Sequence, residues 1–303
     1  MLPERRAASM RILVAIAVAL AGCFTPTTPV DTGTPPGPPV TTGPVHIVDD
    51  LTDCHEGDII VFLDYAAAKR HLPAGFEPGD AQPLLNTPVP VGKAALLANS
   101  VTCGSSTAEG GAFREAQVAV SVLPPDVPGE REPAIDFYEF VHYVPEGSTL
   151  LDEMRAVGWN VVAASIEGST TPSPLGGASG SGAVSDGEGE VYSFTFNAPA
   201  PDPTHPKLTG IGRFWHTNAN GTGHVDYKID AVSAGGAGTC TIRAGSEFAT
   251  VAGKTACGPA DAGATFPDFD IAFSFHFYPA VFPAGHDDHA GTRSAPALLG
   301  LGE

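Results

Sequence analysis

Hydrophobic residues recur with a period of two along most of the chain beyond residue 45. In residues 117–122, for example, the alternation places Val118, Val120 and Val122 on one face of an extended segment. Turns rich in Gly, Pro, Asn and Asp separate such segments, and each segment predicts a β-strand. The strands are predicted at residues 59–63, 95–101, 117–122, 137–143, 191–197, 213–217, 224–232, 240–243 and 271–278. The pattern predicts a mainly β (α+β) fold, a large antiparallel β-barrel or cone-like domain.

Only two short segments have a helical pattern. One covers residues 64–72, and the other covers residues 148–157. Ser148 or Thr149 is a suitable N-terminal cap for the second helix, and Gly158 is a suitable end. We therefore expect two short helices beside the strands.

Residues 167–190 are rich in Gly, Ser, Thr and Pro. Within them, the glycine-rich stretch 176–182 is not followed by the Gly-Lys-Ser/Thr of a phosphate-binding loop. We expect a flexible loop here rather than a nucleotide site.

The N-terminus has the features of a secretory signal. Arg5, Arg6 and Arg11 flank an apolar run at residues 12–20, which is too short to span a bilayer permanently. The run closes with Leu-Ala-Gly-Cys, which resembles a bacterial lipobox whose cysteine, here Cys23, is acylated and becomes the new N-terminus. An ordinary signal with a coincidental cysteine is the alternative.

These features predict an exported protein that is lipid-anchored to the cell envelope through Cys23. Residue 24 is Phe rather than Asp, which in a host with two membranes favours the outer membrane, facing the periplasm or the surface. A Pro/Thr/Gly-rich segment follows and is expected to act as an extended spacer. The predicted divisions are a signal at 1–23, a linker at 24–45, a β-barrel domain at 46–283 and a disordered polar tail at 284–303.

Composition restricts the class of partner. The chain has 15 Lys and Arg against 34 Asp and Glu, a net charge of −19, so we expect no nucleic-acid partner. Only 16% of residues are charged, whereas Gly and Pro are abundant, which argues against a coiled coil or a helical bundle. The expected partners are the lipid bilayer and a small-molecule ligand.

Four cysteines remain once Cys23 is set aside. An even number in an exported chain favours two disulfides, and the short spacing favours Cys240–Cys257, which leaves Cys54–Cys103. A cysteine-based zinc site is the alternative, but no pair has Cys-x-x-Cys spacing.

No standard catalytic signature is present in the sequence. The chain has no His-Glu-x-x-His, Gly-x-Ser-x-Gly, dinucleotide-binding glycine pattern or EF-hand loop. Polar side chains on otherwise apolar strands are the remaining candidates, because a few polar groups among aromatic ones are typical of a ligand pocket. They are His142, Arg213, Trp215, His276 and Tyr278. Alternatively, these faces meet water.

Two further expectations concern individual residues. His142 is expected to share a face with Tyr138 and Phe140, opposite Glu139. The His-Asp-Asp-His string at 286–289 resembles a metal site, but its Gly/Ala/Pro-rich context favours a solvated tail, so we expect no metal and no cofactor.

Several short motifs resemble the acetoacetate decarboxylase-like superfamily. They are Leu-Pro-Ala-Gly at 72–75, Gly-Ala-Phe-Arg-Glu at 111–115, the strand at 137–143, the helix at 148–157 and the Gly-Trp-Asn-Val that ends it at 158–161. The resemblance covers roughly residues 58–283. It implies a large β-barrel or cone with an enclosed pocket, and it places Glu115 in that pocket.

The chain departs from that family at its catalytic centre. The family's Schiff-base lysine follows the helix, where this chain has Asn160 and Val161. The resemblance therefore implies that Schiff-base decarboxylation is lost, and it leaves open whether the protein is an enzyme. We expect a lipoprotein whose barrel binds a small, partly apolar ligand. The alternatives are an exported enzyme using Glu115 with His142 or His276 as acid and base, and a surface structural or interaction module with a filled interior.

Overall fold

The computed structural model describes residues 45–79, 90–125, 134–173, 177–199, 208–231 and 234–278. Its strands are β1 (Val45–Asp64), β2 (Glu77–Pro78), β3 (Lys93–Ser106), β4 (Gly111–Leu123), β5 (Ala134–Val144), β6 (Val161–Ala163), β7 (Ser165–Pro172), β8 (Gly177–Asp186), β9 (Gly189–Pro199), β10 (Leu208–Asn218), β11 (Gly221–Ala231), β12 (Ala234–Ile242) and β13 (Ala262–Tyr278). The helices are α1 (Tyr65–Lys69), α2 (Thr149–Ala156) and α3 (Glu247–Ala252).

Seven strands close into a barrel. They follow the order β1-β3-β4-β5-β10-β11-β13, and β13 pairs again with β1 to complete the ring. The predicted mainly β barrel is therefore confirmed. Two pairings, β5 with β10 and β5 with β6, are parallel rather than antiparallel. The first parallel pair needs a long crossover, which runs from the end of β5 through α2 and β6–β9 to β10.

A second layer, formed by β12, β9, β8 and β7, continues the same sheet from the first half of β13. It covers the outer surface of β1 and β3, because Phe194 and Phe196 of β9 pack in the same apolar cluster as Ile59 and Leu96. The alternate residues of β1 and β3 pack in a separate cluster inside the barrel. Residues 59–63 and 95–101, which are apolar almost without interruption, therefore form strands that are buried on both faces.

The segment predicted as a flexible loop is instead the hairpin of β7 and β8. Its glycines allow the backbone to lie directly against aromatic rings of β9. A Cβ on Gly180 would come within 2.5 Å of Phe196, and one on Gly182 within 2.4 Å of Phe194. The loop prediction is wrong because these glycines are required for close packing rather than for flexibility.

Both predicted helices are present, together with a third one that the sequence pattern did not indicate. The Ser246 side chain accepts a hydrogen bond from the Ala249 backbone N–H at 3.1 Å and so caps α3. Gly253 ends this helix with a φ of +66°. With six residues, α3 is too short to show a clear helical period. Among the described residues, no helix has the length and apolar character needed to cross a bilayer.

Both predicted disulfides are confirmed. Cys54 of β1 is bonded to Cys103 of β3, and Cys240 of β12 is bonded to Cys257. Cys54 and Cys103 are direct partners in the strand register, and both are buried. The disulfide between Cys54 and Cys103 therefore joins two neighbouring strands of the barrel wall.

Candidate functional site

The barrel interior contains a group of buried, hydrogen-bonded side chains that we call the inner network. Its members are Glu115, Gln117, Glu139, His142, Trp159 and Tyr227. His142 lies at the centre, with Nδ1 2.8 Å from Glu139 Oε1 and Nε2 3.1 Å from Glu115 Oε2. The Trp159 indole donates to Glu139 Oε2 at 2.7 Å, and the Tyr227 hydroxyl donates to Glu115 Oε2 at 3.0 Å. The two carboxylates and the imidazole have no exposed surface.

A bulge in β5 brings Glu139 and His142 to the same side of the wall. In a regular strand, residues three apart face opposite sides. Here Val141 pairs with Val118 and Glu139 pairs with Ala119, so that Phe140 is an extra residue. Our expectation that His142 faces away from Glu139 is wrong for this reason.

His142 carries a positive charge at neutral pH. Burial opposes that charge, but the carboxylates of Glu139 and Glu115 outweigh it and raise the pKa of His142 to about 10. Both ring N–H groups then donate to carboxylates. An imidazolium held in this way is poorly suited to accept a proton as a general base.

Only one of the two carboxylate oxygens of Glu115 has hydrogen-bond partners among the described residues. Its Oε2 accepts hydrogen bonds from His142 and Tyr227, whereas its Oε1 has no partner among the described residues although it is buried. An unpaired buried polar atom of this kind costs about 1–3 kcal/mol. The second oxygen is therefore available to a ligand or to water.

A cavity of about 60 Å³ lies beside the inner network. Its wall is largely apolar and aromatic with one polar end, and it consists of Glu56, Asp58, Ile60, Ala95, Leu97, Asn99, Val101, Gln117, Phe137, Gly212, Phe214, Tyr227, Ile229, Phe266, Phe269 and Ile271. Gln117 and Tyr227 belong to both the cavity wall and the inner network. Because one buried water needs about 10–15 Å³, the cavity has room for about four to six non-hydrogen atoms.

Two acids form the polar end of this cavity. Glu56 and Asp58 are two residues apart on β1 and so face the same side. Burial raises the pKa of Asp58 well above its usual range, and the charge of Glu56 adds to the effect. Burial also raises the pKa of Glu56, although Asp58 and Asn99 hydrogen-bond to it, the Asn99 amide at 2.9 Å. The two carboxyls therefore resist ionising together.

A second buried network lies on the opposite face of the barrel wall, on β5, β10 and β11, and we call it the outer network. It consists of Asp136, Arg213, Trp215, His224 and Asp226. Arg213 donates two hydrogen bonds to Asp226, at 2.7 and 2.8 Å, and its guanidinium lies 5.6 Å from the centre of the Trp215 ring. His224 Nδ1 lies 2.7 Å from the same carboxylate. Burial opposes ionisation of Asp226, but these hydrogen bonds outweigh it and hold its pKa well below the usual range.

Asp136 is the weakly acidic member of the outer network. Burial raises its pKa to about 6, despite a hydrogen bond of 2.7 Å from the Trp215 indole. Asp136 therefore titrates just below neutral pH, whereas Asp226 stays ionised.

The six pocket residues predicted from the sequence fall into two groups. Glu115 and His142 meet inside the barrel. The others lie on the outer side, where the rings of His276 and Tyr278 stack on His224 with centroids 4.7 and 6.0 Å away. Arg213 faces outward because its neighbours Gly212 and Phe214 line the cavity. None of the six forms part of the cavity wall, but Tyr227 links Glu115 to it, and Glu115 in turn contacts His142.

Sequence reasoning missed the polar end of the cavity. Glu56 and Asp58 lie directly before the apolar run at 59–63, a position that in the sequence alone is typical of acidic residues at the end of a strand. The alternation of Glu56, Asp58 and Ile60 along one strand was the available signal. Asn99 and Gln117 carry no comparable signal.

The position where the family resemblance expects a lysine lies next to the inner network. Val161 pairs with His142 in a parallel register and is buried. Asn160 Nδ2 donates to the carbonyl of Phe140, the bulge residue, at 2.5 Å. No lysine lines the cavity that the described residues form.

No metal site is evident in the part of the chain that the structure describes. No group of three or more His, Cys, Asp or Glu side chains there has a geometry that could hold a metal ion. The His-Asp-Asp-His string at 286–289 lies outside the described residues.

No protein-family model matches this chain, and no curated protein matches it. Similar solved structures include an enduracididine biosynthesis enzyme, MppR, complexed with pyruvate, with 15% identity over 78% of this chain and 90% of that one and a TM-score of 0.48. An acetoacetate decarboxylase-like enzyme from Sphingomonas wittichii RW1 has 12% identity over 76% and 90%, also with a TM-score of 0.48. The acetoacetate decarboxylase of Legionella pneumophila has 12% identity over 82% and 93%, with a TM-score of 0.47. A likeness of this size does not assign the chain an activity.

Proposed function

We propose that this protein binds a small, partly apolar molecule inside its barrel without forming a Schiff base to it. The observation that carries the proposal is the cavity of about 60 Å³, which has an aromatic wall and one polar end. Ligand pockets commonly have this combination, in which apolar contacts supply affinity and a few polar groups fix orientation. Val161 at the position of the family's lysine supports binding over imine chemistry.

The test is a cavity-filling substitution. Ala95 is buried in the cavity wall, so Ala95→Leu should occupy the ligand space. Ala66→Leu on the exposed side of α1 is the matched control. Butylammonium, butan-1-ol and butyrate, each of five or six non-hydrogen atoms, serve as probes in ligand-observed NMR with the purified full chain.

We expect at least one probe to bind the wild type and the control, and its affinity to fall at least tenfold in Ala95→Leu. Circular dichroism checks that both variants fold. If all three probes fail to bind the wild type, or if Ala95→Leu binds as well as the control, the proposal is wrong.

We further propose that the chain is exported and tethered to the envelope by lipid on Cys23, with residues 24–45 as a spacer. The support is the basic flank, the short apolar run and the Leu-Ala-Gly-Cys ending. Cys23→Ala should move the protein from the membrane fraction to the soluble fraction, and the intact mass of the wild type should show acyl chains. An unmodified Cys23 in membrane-fractionated protein would contradict the tether.

An acid–base enzyme is the second candidate function. The observation in its favour is the buried contact of 3.1 Å between Glu115 and His142. Because both imidazole nitrogens of His142 contact carboxylates, the open oxygen of Glu115 is the better base. An enzyme of this kind should exchange α-protons of small carbonyl compounds for deuterium in heavy water, and Glu115→Gln should abolish that exchange. Equal exchange with and without protein would rule out this candidate for those compounds.

A further inference from the structure

The cavity wall has an excess of acid. Glu56 and Asp58 are its only ionisable members apart from Tyr227, and no Lys, Arg or His lines the cavity among the described residues. Behind it, two carboxylates, Glu115 and Glu139, share one imidazolium. The described part of the interior therefore has no cation to spare for an anionic ligand.

The open polar atoms of this region are carboxyl oxygens, which act as acceptors when a cation keeps the acids ionised. Asp58 is 2% exposed and its Oδ1 has no hydrogen-bond partner among the described residues, and Glu115 Oε1 is in the same state. The nearby donors are already engaged. The amide of Asn99 donates to Glu56, the amide of Gln117 donates to Tyr227, and the Tyr227 hydroxyl donates to Glu115. A ligand that satisfies this end must itself bring N–H or O–H groups.

The remainder of the wall suits an alkyl chain. Phe137, Phe214, Phe266 and Phe269 supply aromatic surface to the cavity. Apolar carbon atoms gain free energy by burial there, and the face of an aromatic ring also attracts a nearby cation.

We infer, on the basis of the binding function proposed above, that the ligand is a small protonated primary amine, with its ammonium group against Asp58 and Glu56 and its short alkyl chain among the phenylalanines. An ammonium group has three donors and no acceptor, so it complements open carboxyl oxygens. It also replaces the proton that the two acids otherwise share.

The experiment compares three probes of nearly equal size and different charge. Butylammonium is cationic at pH 7, as the Lys side chain is, butan-1-ol is neutral and butyrate is anionic. Their dissociation constants are measured by ligand-observed NMR on the purified full chain at one ionic strength. We expect butylammonium to bind at least tenfold more tightly than butan-1-ol, and butyrate more weakly than either.

Two variants locate the ammonium group. Asp58→Asn keeps the shape of the side chain but removes the carboxyl group that can ionise against an ammonium, and it should weaken butylammonium binding at least tenfold with little effect on butan-1-ol. Glu188→Gln, at a side chain that is 85% exposed, is the matched control and should change neither affinity.

The possible outcomes separate this inference from the binding proposal. If butan-1-ol or butyrate binds as tightly as butylammonium and Ala95→Leu weakens that binding, the amine inference is wrong and the cavity proposal stands. If none of the probes binds, both are wrong. The selectivity of the wild type is decisive even if Asp58→Asn does not fold. Unchanged butylammonium affinity in a folded Asp58→Asn would also overturn the inference.

Discussion

The inner and outer networks lie back to back on the same barrel wall, and both are buried, but their charges are balanced differently. In the outer network, Arg213 meets Asp226 with two hydrogen bonds, and His224 adds a third contact. In the inner network, the imidazolium of His142 is the shared counter-charge of Glu115 and Glu139, and one Glu115 oxygen has no hydrogen-bond partner among the described residues. Only the inner side adjoins the cavity.

This difference separates a structural role from a binding role. A buried pair that is matched in charge and hydrogen bonds stabilises the fold but has little to offer a ligand. A buried group with an excess of acid and an open acceptor is less stable by itself and gains more from a complementary ligand. On the binding function proposed above, the outer network belongs to the wall and the inner network to the site.

The largest expected effect comes from unpairing the outer network. Arg213→Met leaves the carboxylate of Asp226 buried without its main partner, so we expect the free energy of unfolding to fall by about 3–5 kcal/mol. Chemical denaturation measures the loss. The same substitution at Arg243, whose ion pair with Asp186 is partly exposed, should cost only about 1 kcal/mol. Similar losses at both positions would contradict a matched, buried pair of Arg213 and Asp226.

Alkaline pH should weaken the inner network selectively. Because the pKa of His142 is raised to about 10, its contribution to stability is fully present below its unfolded pKa of 6.5 and is lost as pH rises through about 10. We expect a loss of about 2–4 kcal/mol across that range.

The direct measurement is the protonation of each imidazole by nitrogen-15 NMR. His142 should stay protonated at pH 8, whereas His216, whose pKa burial lowers, should be neutral and serves as the internal control. A neutral His142 at pH 8 would contradict the arrangement of two carboxylates around one cation.

Low pH should change the stability that the outer network contributes. The lowered pKa of Asp226 makes its contribution present above its unfolded pKa, near 3.9, and lost as pH falls below that value. The raised pKa of Asp136 has the opposite effect, since its protonation below about pH 6 adds stability.

Within the two networks, the smallest effect is expected from Glu115→Gln. His142 keeps Glu139 as its counter-charge, and the amide oxygen replaces one carboxylate acceptor, so the free energy of unfolding should fall by only about 1–2 kcal/mol. Denaturation under the same conditions as for Arg213→Met gives the comparison. A loss as large as that of Arg213→Met would mean that Glu115 is a structural ion-pair partner rather than an open ligand acceptor.

The hydrophobic pattern predicted the barrel well, because strands buried on both faces leave strong apolar runs in the sequence. It failed for the β7–β8 hairpin, where glycines are selected by the rings of Phe194 and Phe196, residues that neither strand contains. It failed again at β5, where one bulge residue reverses the face of His142. A period of two assumes a regular strand, so a side chain beyond a bulge cannot be assigned to a face from sequence alone.

The candidate site was only partly predictable for a related reason. Glu115 was reached through a motif, and His142 through its polar character on an apolar strand. The contact between Glu115 and His142 depends on the pairing of β4 with β5. The contact between Glu56 and Asn99 depends on the pairing of β1 with β3. Such pairings join residues distant in sequence.

The disulfide between Cys54 and Cys103 also fixes the strand register that turns Glu56 and Asp58 toward the barrel interior. The two cysteines face each other across β1 and β3, and the same alignment places Asp58 opposite Asn99. A slip of one residue would turn Glu56 and Asp58 toward the layer of β12, β9, β8 and β7 and bring Ile59 into the barrel. The redox state of the compartment in which the chain folds therefore helps to decide which side of the wall presents carboxyl groups.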